Sequence, residues 1–197
     1  MRAPCRVAVM AALIFVAADR AAFANDEPDS VTVLGKSADL KTGFCSKCVV
    51  GPPAPSGTLD LPNVPDNDPT IEGGTIKFYE RANPTNQNTF LLPAAGWRKR
   101  GDPLAPRAFR YHGLGIAGDP CRRVVVNARR VSAICQGTDV TLAPPFADPR
   151  LGVTLTIGTN SKRYCPVFGA RENEPGFFRG GPTYNDAPCS PGGAFLD

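Results

Sequence analysis

The sequence holds a single histidine, His112, among 197 residues, and that scarcity removes much familiar catalytic chemistry at the outset. A serine-histidine triad needs an activated nucleophile, yet no Gly-x-Ser-x-Gly elbow accompanies Arg110-Tyr111-His112-Gly113. His112 therefore reads as a strand-end side chain, solvent-facing or hydrogen-bonded. Zinc is as poorly provided for, because Cys45 and Cys48 have no second cysteine pair or histidine cluster to complete four ligands. Tryptophan and methionine are scarce too, at one and two residues. No apolar run reaches the roughly 20 residues of a membrane-spanning helix. Outside the N-terminus, no long stretch repeats its apolar residues with the 3.6 period of an amphipathic helix. The mature chain is expected to be soluble and not membrane-spanning.

The first twenty-four residues read as a secretory signal. Arg2 and Arg6 give a positive start, Val7 to Ala18 is apolar throughout, and Ala22-Phe23-Ala24 offers the small-x-small pattern of signal peptidase. Cleavage near Ala24 would leave a chain beginning at Asn25, secreted or periplasmic. The whole chain carries 22 Lys+Arg and 18 Asp+Glu. Removing Arg2, Arg6, Arg20 and Asp19 leaves 19 basic and 17 acidic residues, a net of +2. Short basic clusters remain at Arg98-Lys99-Arg100, Arg122-Arg123 and Arg129-Arg130. They read as solvated strand faces and turns, without the concentrated stripe that nucleic-acid binding demands.

Proline and glycine are plentiful, at 21 and 20 residues. They cut the chain into short segments, which suits strands joined by turns. Residues 25–73 are rich in Pro, Asp, Ser and Gly and read as an extended arm and linker with at most two or three short strands, Val31-Thr32-Val33-Leu34 being a short alternating segment and Val49-Val50 following the cysteine pair. From Gly74 the texture changes, and 74–197 reads as a β domain. Strand candidates are Thr75–Glu80, Thr89–Leu92, Ala108–His112, Val140–Leu142, Gly152–Gly158, Lys162–Phe168 and Phe177-Phe178. Pro103 and Pro106 mark an irregular connection after Trp97. The fold class expected is all-β, an antiparallel sandwich or barrel of about eight short strands, stapled by disulfides.

Setting aside Cys5 in the signal, six cysteines remain: Cys45, Cys48, Cys121, Cys135, Cys165 and Cys189. An even number in an exported chain reads as a disulfide framework. Cys121 to Cys135 looks like a β-hairpin. With Ala128 at its centre, Cys121 faces Cys135, Val125 faces Val131 and Arg123 faces Ala133. Facing residues bring Cα atoms to about 4.5 Å, within disulfide reach. Cys45 and Cys48 are followed by Pro52, Pro53 and Pro55, which prevents the helix a redox motif needs. A local bridge between them is one reading, and a bond from either into the main domain is the other. Cys165 and Cys189 then pair by elimination.

Several chemistries can be weighed residue by residue. Asp66 and Asp68, or Glu172 and Glu174, lack the spacing of a calcium loop and read as solvated turn residues. Gly113-Leu114-Gly115-Ile116-Ala117-Gly118 matches a dinucleotide glycine pattern in spacing alone, since Asp119-Pro120-Cys121 follows where a long helix should begin. Trp97, Tyr79 and Tyr111 are candidates for a sugar-stacking platform, although large aromatics more often fill cores. No catalytic residue, cofactor site or metal site is assigned.

The motifs Leu-Pro-Ala-Ala-Gly-Trp (92–97), Cys-Gln-Gly (135–137), Arg-Tyr-Cys-Pro-Val-Phe-Gly (163–169) and Ala-Pro-Cys-Ser-Pro (187–191) together point to a likeness. The region from about Gly74 to Pro191 resembles a group of uncharacterised secreted proteins of myxobacteria and related bacteria. That resemblance implies an exported bacterial domain and carries no activity with it. The reading that results is a non-catalytic secreted β-sandwich, a binding or surface module whose extracellular ligand could be carbohydrate and not nucleic acid. The competing reading is an extracellular hydrolase whose carboxylates meet only on folding. A pocket joining two of Asp119, Asp139, Glu172 and Glu174 would favour the hydrolase, and an exposed strip of Trp97 with Tyr79 or Tyr111 would favour the binder.

Overall fold

The computed structural model describes residues 30–31, 33–41, 44–51, 59, 61–62, 64, 67–83, 85–158 and 162–182, with backbone alone for 30, 31, 34 and 44–51. The signal segment, Ala24, Asp66 and Cys189 lie outside them. Thirteen strands follow in order: β1 (Ser30–Val31), β2 (Leu34–Lys41), β3 (Phe44–Gly51), β4 (Gly74–Glu80), β5 (Gln87–Leu92), β6 (Trp97–Gly101), β7 (Pro106–His112), β8 (Cys121–Asn127), β9 (Arg130–Cys135), β10 (Arg150–Ile157), β11 (Arg163–Tyr164), β12 (Val167–Glu174) and β13 (Phe177–Pro182). One four-residue helix, α1 (Pro69–Glu72), precedes β4.

The protein is all-β, as its turn-rich composition implies. Pairing runs continuously through β5, β4, β10, β12, β13, β2, β3, β9, β8, β7 and β6. Every one of these pairs is antiparallel, and only the two-residue β1–β11 contact is parallel. Side chains alternate across each strand, and the inward set forms one core. That core draws Ile76, Phe78, Phe90 and Leu92 from one end of the path, and Trp97, Phe109, Tyr111 and Val124 from the other. The two ends thus form antiparallel layers over shared apolar side chains.

Segment 25–73 differs most from its expected form. It is no appendage, because β2 pairs with β13 and β3 pairs with β9, filling the middle of the path. Gly35-Lys36-Ser37-Ala38-Asp39 has little strand propensity of its own. Neighbours on both sides impose the conformation, and Ala38 and Leu40 are fully buried. β6 is a second strand not expected from sequence, since Trp-Arg-Lys-Arg-Gly reads as charged rather than β-forming. As the last strand of the path it needs charge to discourage edge-to-edge pairing.

The hairpin β8–β9 carries the expected bond: Cys121 and Cys135 form a disulfide with Cα atoms 3.7 Å apart. The register behind that bond is shifted by one residue from the expected one. Val126 faces Val131, Val125 faces Ser132 and Val124 faces Ala133, around a two-residue turn at Ala128-Arg129. A bulge between Cys121 and Arg123 absorbs the difference and returns the cysteines to opposite positions. Asn127 closes the turn, its side-chain oxygen accepting from the N–H groups of Arg129 and Arg130. Cys165 is also disulfide-bonded. Cys45 and Cys48 lie on β3, with Cys48 in register with Ala133; their side chains are outside the description.

Val140–Leu142 is not a strand. The segment 136–149 has no strand at all, yet Val140, Leu142 and Phe146 are buried on alternate positions. Pro144, Pro145 and Pro149 supply no N–H to a ladder, and the Pro144–Pro145 peptide is cis.

Candidate functional site

Alternation along β6 splits the basic triplet. Lys99 turns to the side of Asp68, and the two form an ion pair at 2.5 Å. Asp68 is 2% exposed and also accepts from the N–H and hydroxyl of Thr70 at the start of α1. Burial pushes its carboxyl up, but the Lys99 and Thr70 hydrogen bonds outweigh that and hold it below its ordinary value. The sequence reading made this aspartate a solvated turn residue. It is a buried tie between α1 and β6.

Arg98 and Arg100 point the other way and are exposed. Register carries the pattern across the sheet: Arg98 faces Arg110 on β7, and His112 faces Arg123 on β8. Farther along, Asn127 faces Ala108 and Arg130. The outer face of β6–β9 therefore collects Arg98, Arg100, Arg110, His112, Arg123 and Arg130. Among the described residues none of these arginines has a carboxylate partner. Arg98 donates to the carbonyls of Ala95 and Trp97 instead, and Nε of Arg110 is buried with no acceptor. The bulge adds to the charge by leaving Arg122 and Arg123 both exposed where strict alternation would bury one.

His112 senses this face. Partial loss of solvent, then repulsion from Arg110, Arg123, Arg100 and Arg98, holds its pKa below the ordinary histidine value. A cleft of about 310 Å³ lies at its end of the sheet, lined by Ala95, Gly96, Arg98, His112, Gly113 and Leu114. A second, of about 460 Å³, lies at the opposite strand ends, lined by Arg107, Asn127, Ala128, Arg129 and Arg130.

The aromatic candidates are elsewhere. Trp97 and Tyr111 are fully buried and Tyr79 nearly so, so they form no exposed stacking strip. Trp97 donates its indole N–H to the Leu92 carbonyl, and its ring lies 5.4 Å from that of Tyr111. The packing is close enough that a Cβ at Gly96 would collide with the Tyr111 ring, and one at Gly152 with the Tyr79 ring. Tyr111 reaches the rim through its hydroxyl, which donates to Oδ2 of Asp119 at 2.7 Å. Burial first, then this carboxylate, pushes the Tyr111 pKa well up. Asp119 also accepts from the Leu114 N–H, so it clamps the 113–120 loop, whose Gly115 and Gly118 take positive φ.

Two of the carboxylates considered for hydrolysis have separate local partners, and the other two are exposed. Glu172 pairs with Arg179 at 2.7 Å across β12–β13, Asp119 holds its loop, and Asp139 and Glu174 are exposed. Both clefts are lined by arginines instead of these groups. Among the described residues no three of His, Cys, Asp and Glu converge as a metal-ligand set, and no helix is long and apolar enough to cross a membrane.

The sequence reading missed the basic face. Its signal was available in the alternation of Arg98 with Arg100 and of Arg110 with His112, but combining those strands required the register. No protein-family model, curated protein or solved structure matches this chain.

Proposed function

We propose that the protein is a non-catalytic binding module, exported and working outside the cytoplasm, that holds an anionic ligand on the outer face of β6–β9. The observation that carries this reading is the register-aligned group of arginines without carboxylate partners. Surface arginines are ordinarily interspersed with acids, and like charges directly opposite one another weaken a sheet. Guanidinium groups in this arrangement can donate in pairs to carboxylate, sulfate or phosphate oxygens. The supporting strands are tied by a disulfide and a dense aromatic core, which presents the donors at little ordering cost. Burial of Trp97, Tyr79 and Tyr111 moves the ligand reading away from neutral sugars stacked on rings. Titrating the protein with tripolyphosphate while following backbone amide resonances tests the reading. Saturable shifts at Arg98, Arg110, His112 and Arg123 are expected. Shifts confined to other strands, or none at all, would overturn it.

A further inference from the structure

The two clefts and the basic face between them form one track. From Ala108, in the row of Asn127 and Arg130, to His112, in the row of Arg123, β7 advances four residues. That is roughly 13 Å at the usual strand rise, with arginines at both ends and in the middle. A small anion would need one cleft only. A track of this length suits a chain that bears several anions.

Edge protection accounts for part of the charge. It explains Arg98 and Arg100, because β6 ends the pairing path. It does not explain Arg110 and Arg123, which sit on β7 and β8 with paired strands on both sides. Among the described residues the nearby acids do not pair with these arginines either. Asp68 is engaged by Lys99, Asp102 by the N–H groups of Leu104 and Ala105, and Asp119 by Tyr111 and Leu114. The buried, acceptor-less Nε of Arg110 lies near the middle of the track.

The face also discriminates among polyanions. Single-stranded nucleic acid is held by aromatic side chains on which bases stack, and the aromatics of these strands, Trp97, Phe109 and Tyr111, are all on the buried side. A bilayer surface is held by apolar side chains that enter the headgroup boundary. The exposed Leu104 and Ile116 belong to loops at the strand ends and Leu114 lines the cleft beside His112, so among the described residues the strands between the clefts carry no exposed large apolar side chain. What the face offers is guanidinium forks in adjacent rows. Resting on the anion-binding reading above, we infer that the ligand is an acidic polysaccharide, its carboxylates or sulfates laid along β7 from one cleft to the other.

The test uses the full disulfide-bonded chain and measures affinity at 0.15 M salt for polygalacturonate, dextran sulfate, neutral dextran, a single-stranded oligonucleotide and phosphatidylglycerol vesicles. Binding to polygalacturonate or dextran sulfate is expected, at least tenfold tighter than to the oligonucleotide or the vesicles, with no binding to dextran. The two acidic polymers distinguish carboxylate from sulfate as the recognised group. The triple variant Arg98→Gln/Arg110→Gln/Arg123→Gln should bind at least tenfold more weakly, while Lys36→Gln/Arg171→Gln should bind as the unaltered protein does. In the unaltered protein, bound polymer should raise the His112 pKa by offsetting the surrounding arginines, a readout that needs no variant. Two results overturn the polysaccharide assignment while leaving the anion face intact. They are oligonucleotide or vesicle binding through these arginines within tenfold of the polysaccharides, or such binding without polysaccharide binding. Polysaccharide binding untouched by the triple variant, or no polyanion binding at all, overturns both readings.

Discussion

The β8–β9 hairpin and the strandless segment 136–149 are consecutive in the chain, and both press apolar side chains into the same core, yet they are held by opposite means. The hairpin satisfies its backbone through a ladder, a side-chain-closed turn and a disulfide. The segment after it has three prolines and no ladder. Some of its backbone groups meet isolated backbone partners, as Gln136 N–H meets the Pro120 carbonyl and the Pro144 carbonyl meets Gly176 N–H, and others are met by side chains from neighbouring strands. Oδ1 of Asn88 accepts from the N–H groups of Thr141 and Leu142, while its Nδ2 donates to the Thr141 hydroxyl. Asn173 accepts from the Phe146 N–H and donates to the Phe146 carbonyl, and Glu80 accepts from the Ala147 N–H. Buried backbone must be paired somehow, and where proline blocks the ladder, three side chains replace it.

Such a difference predicts different fragility. The largest effect is expected for Asn88→Ala, which strands two backbone donors and a hydroxyl. At about 1–3 kcal/mol per buried unsatisfied group, with some water rescue, a loss of roughly 3–4 kcal/mol is expected in urea unfolding. Hydrogen exchange at Thr141 and Leu142 should accelerate before that of β9. Equal acceleration in both regions would dissolve the contrast.

The double variant Cys121→Ala/Cys135→Ala should cost somewhat less, about 2–3 kcal/mol, the usual range for a loop of this length. The ladder should persist, with Val124 and Val126 amides still protected. Loss of their protection would show that the disulfide, not the ladder, holds the hairpin. Asn127→Ala removes an exposed turn closure that water can partly replace, so about 1 kcal/mol is expected from the same unfolding experiment.

His112 should show the smallest effect on stability and a clear one in titration. Its folded pKa lies below its unfolded one, so the folded state resists protonation. Stability is unaffected above the unfolded value of about 6.5 and declines slightly as pH falls from there through the folded pKa. NMR titration should find the imidazole pKa rising with added salt and in Arg123→Gln. A value insensitive to both would place the arginines too far away to matter.

Parts of this structure were legible in the residues. Thr75–Glu80, by its aliphatic and aromatic content, and Gly152–Gly158, by its clean alternation, became β4 and β10, and Cys121 with Cys135 disclosed the hairpin. The hairpin register differs by one residue from that expected because the bulge at Arg122 separates the register of the disulfide from that of the turn. Val140–Leu142 had the right alternation and the right burial, but a strand also requires a partner backbone, and period alone does not show whether one is present. β2 and β6 were missed for the complementary reason, since their partners impose a conformation that their own residues scarcely prefer. The basic face was invisible as three short clusters and the separate Arg110. Only the register of β6 through β9 turns scattered arginines into adjacent ones.

The position of β2 and β3 also governs how the chain can assemble. Leu40 on β2 is in register with Phe178 on β13, and both are fully buried. The earliest full-length strand among the described residues therefore acquires one of its two neighbours only when nearly the last of them arrive. Hairpins such as β4–β5, β6–β7 and β8–β9 are local and can close quickly, but the layers cannot join until contacts of very large sequence separation form, which is the slow step for β topologies. A chain ending before Phe177 would have its local hairpins and an open centre, with β2 presenting an unpaired edge. Folding here is completed from the two ends of the sequence meeting, not from one end onward.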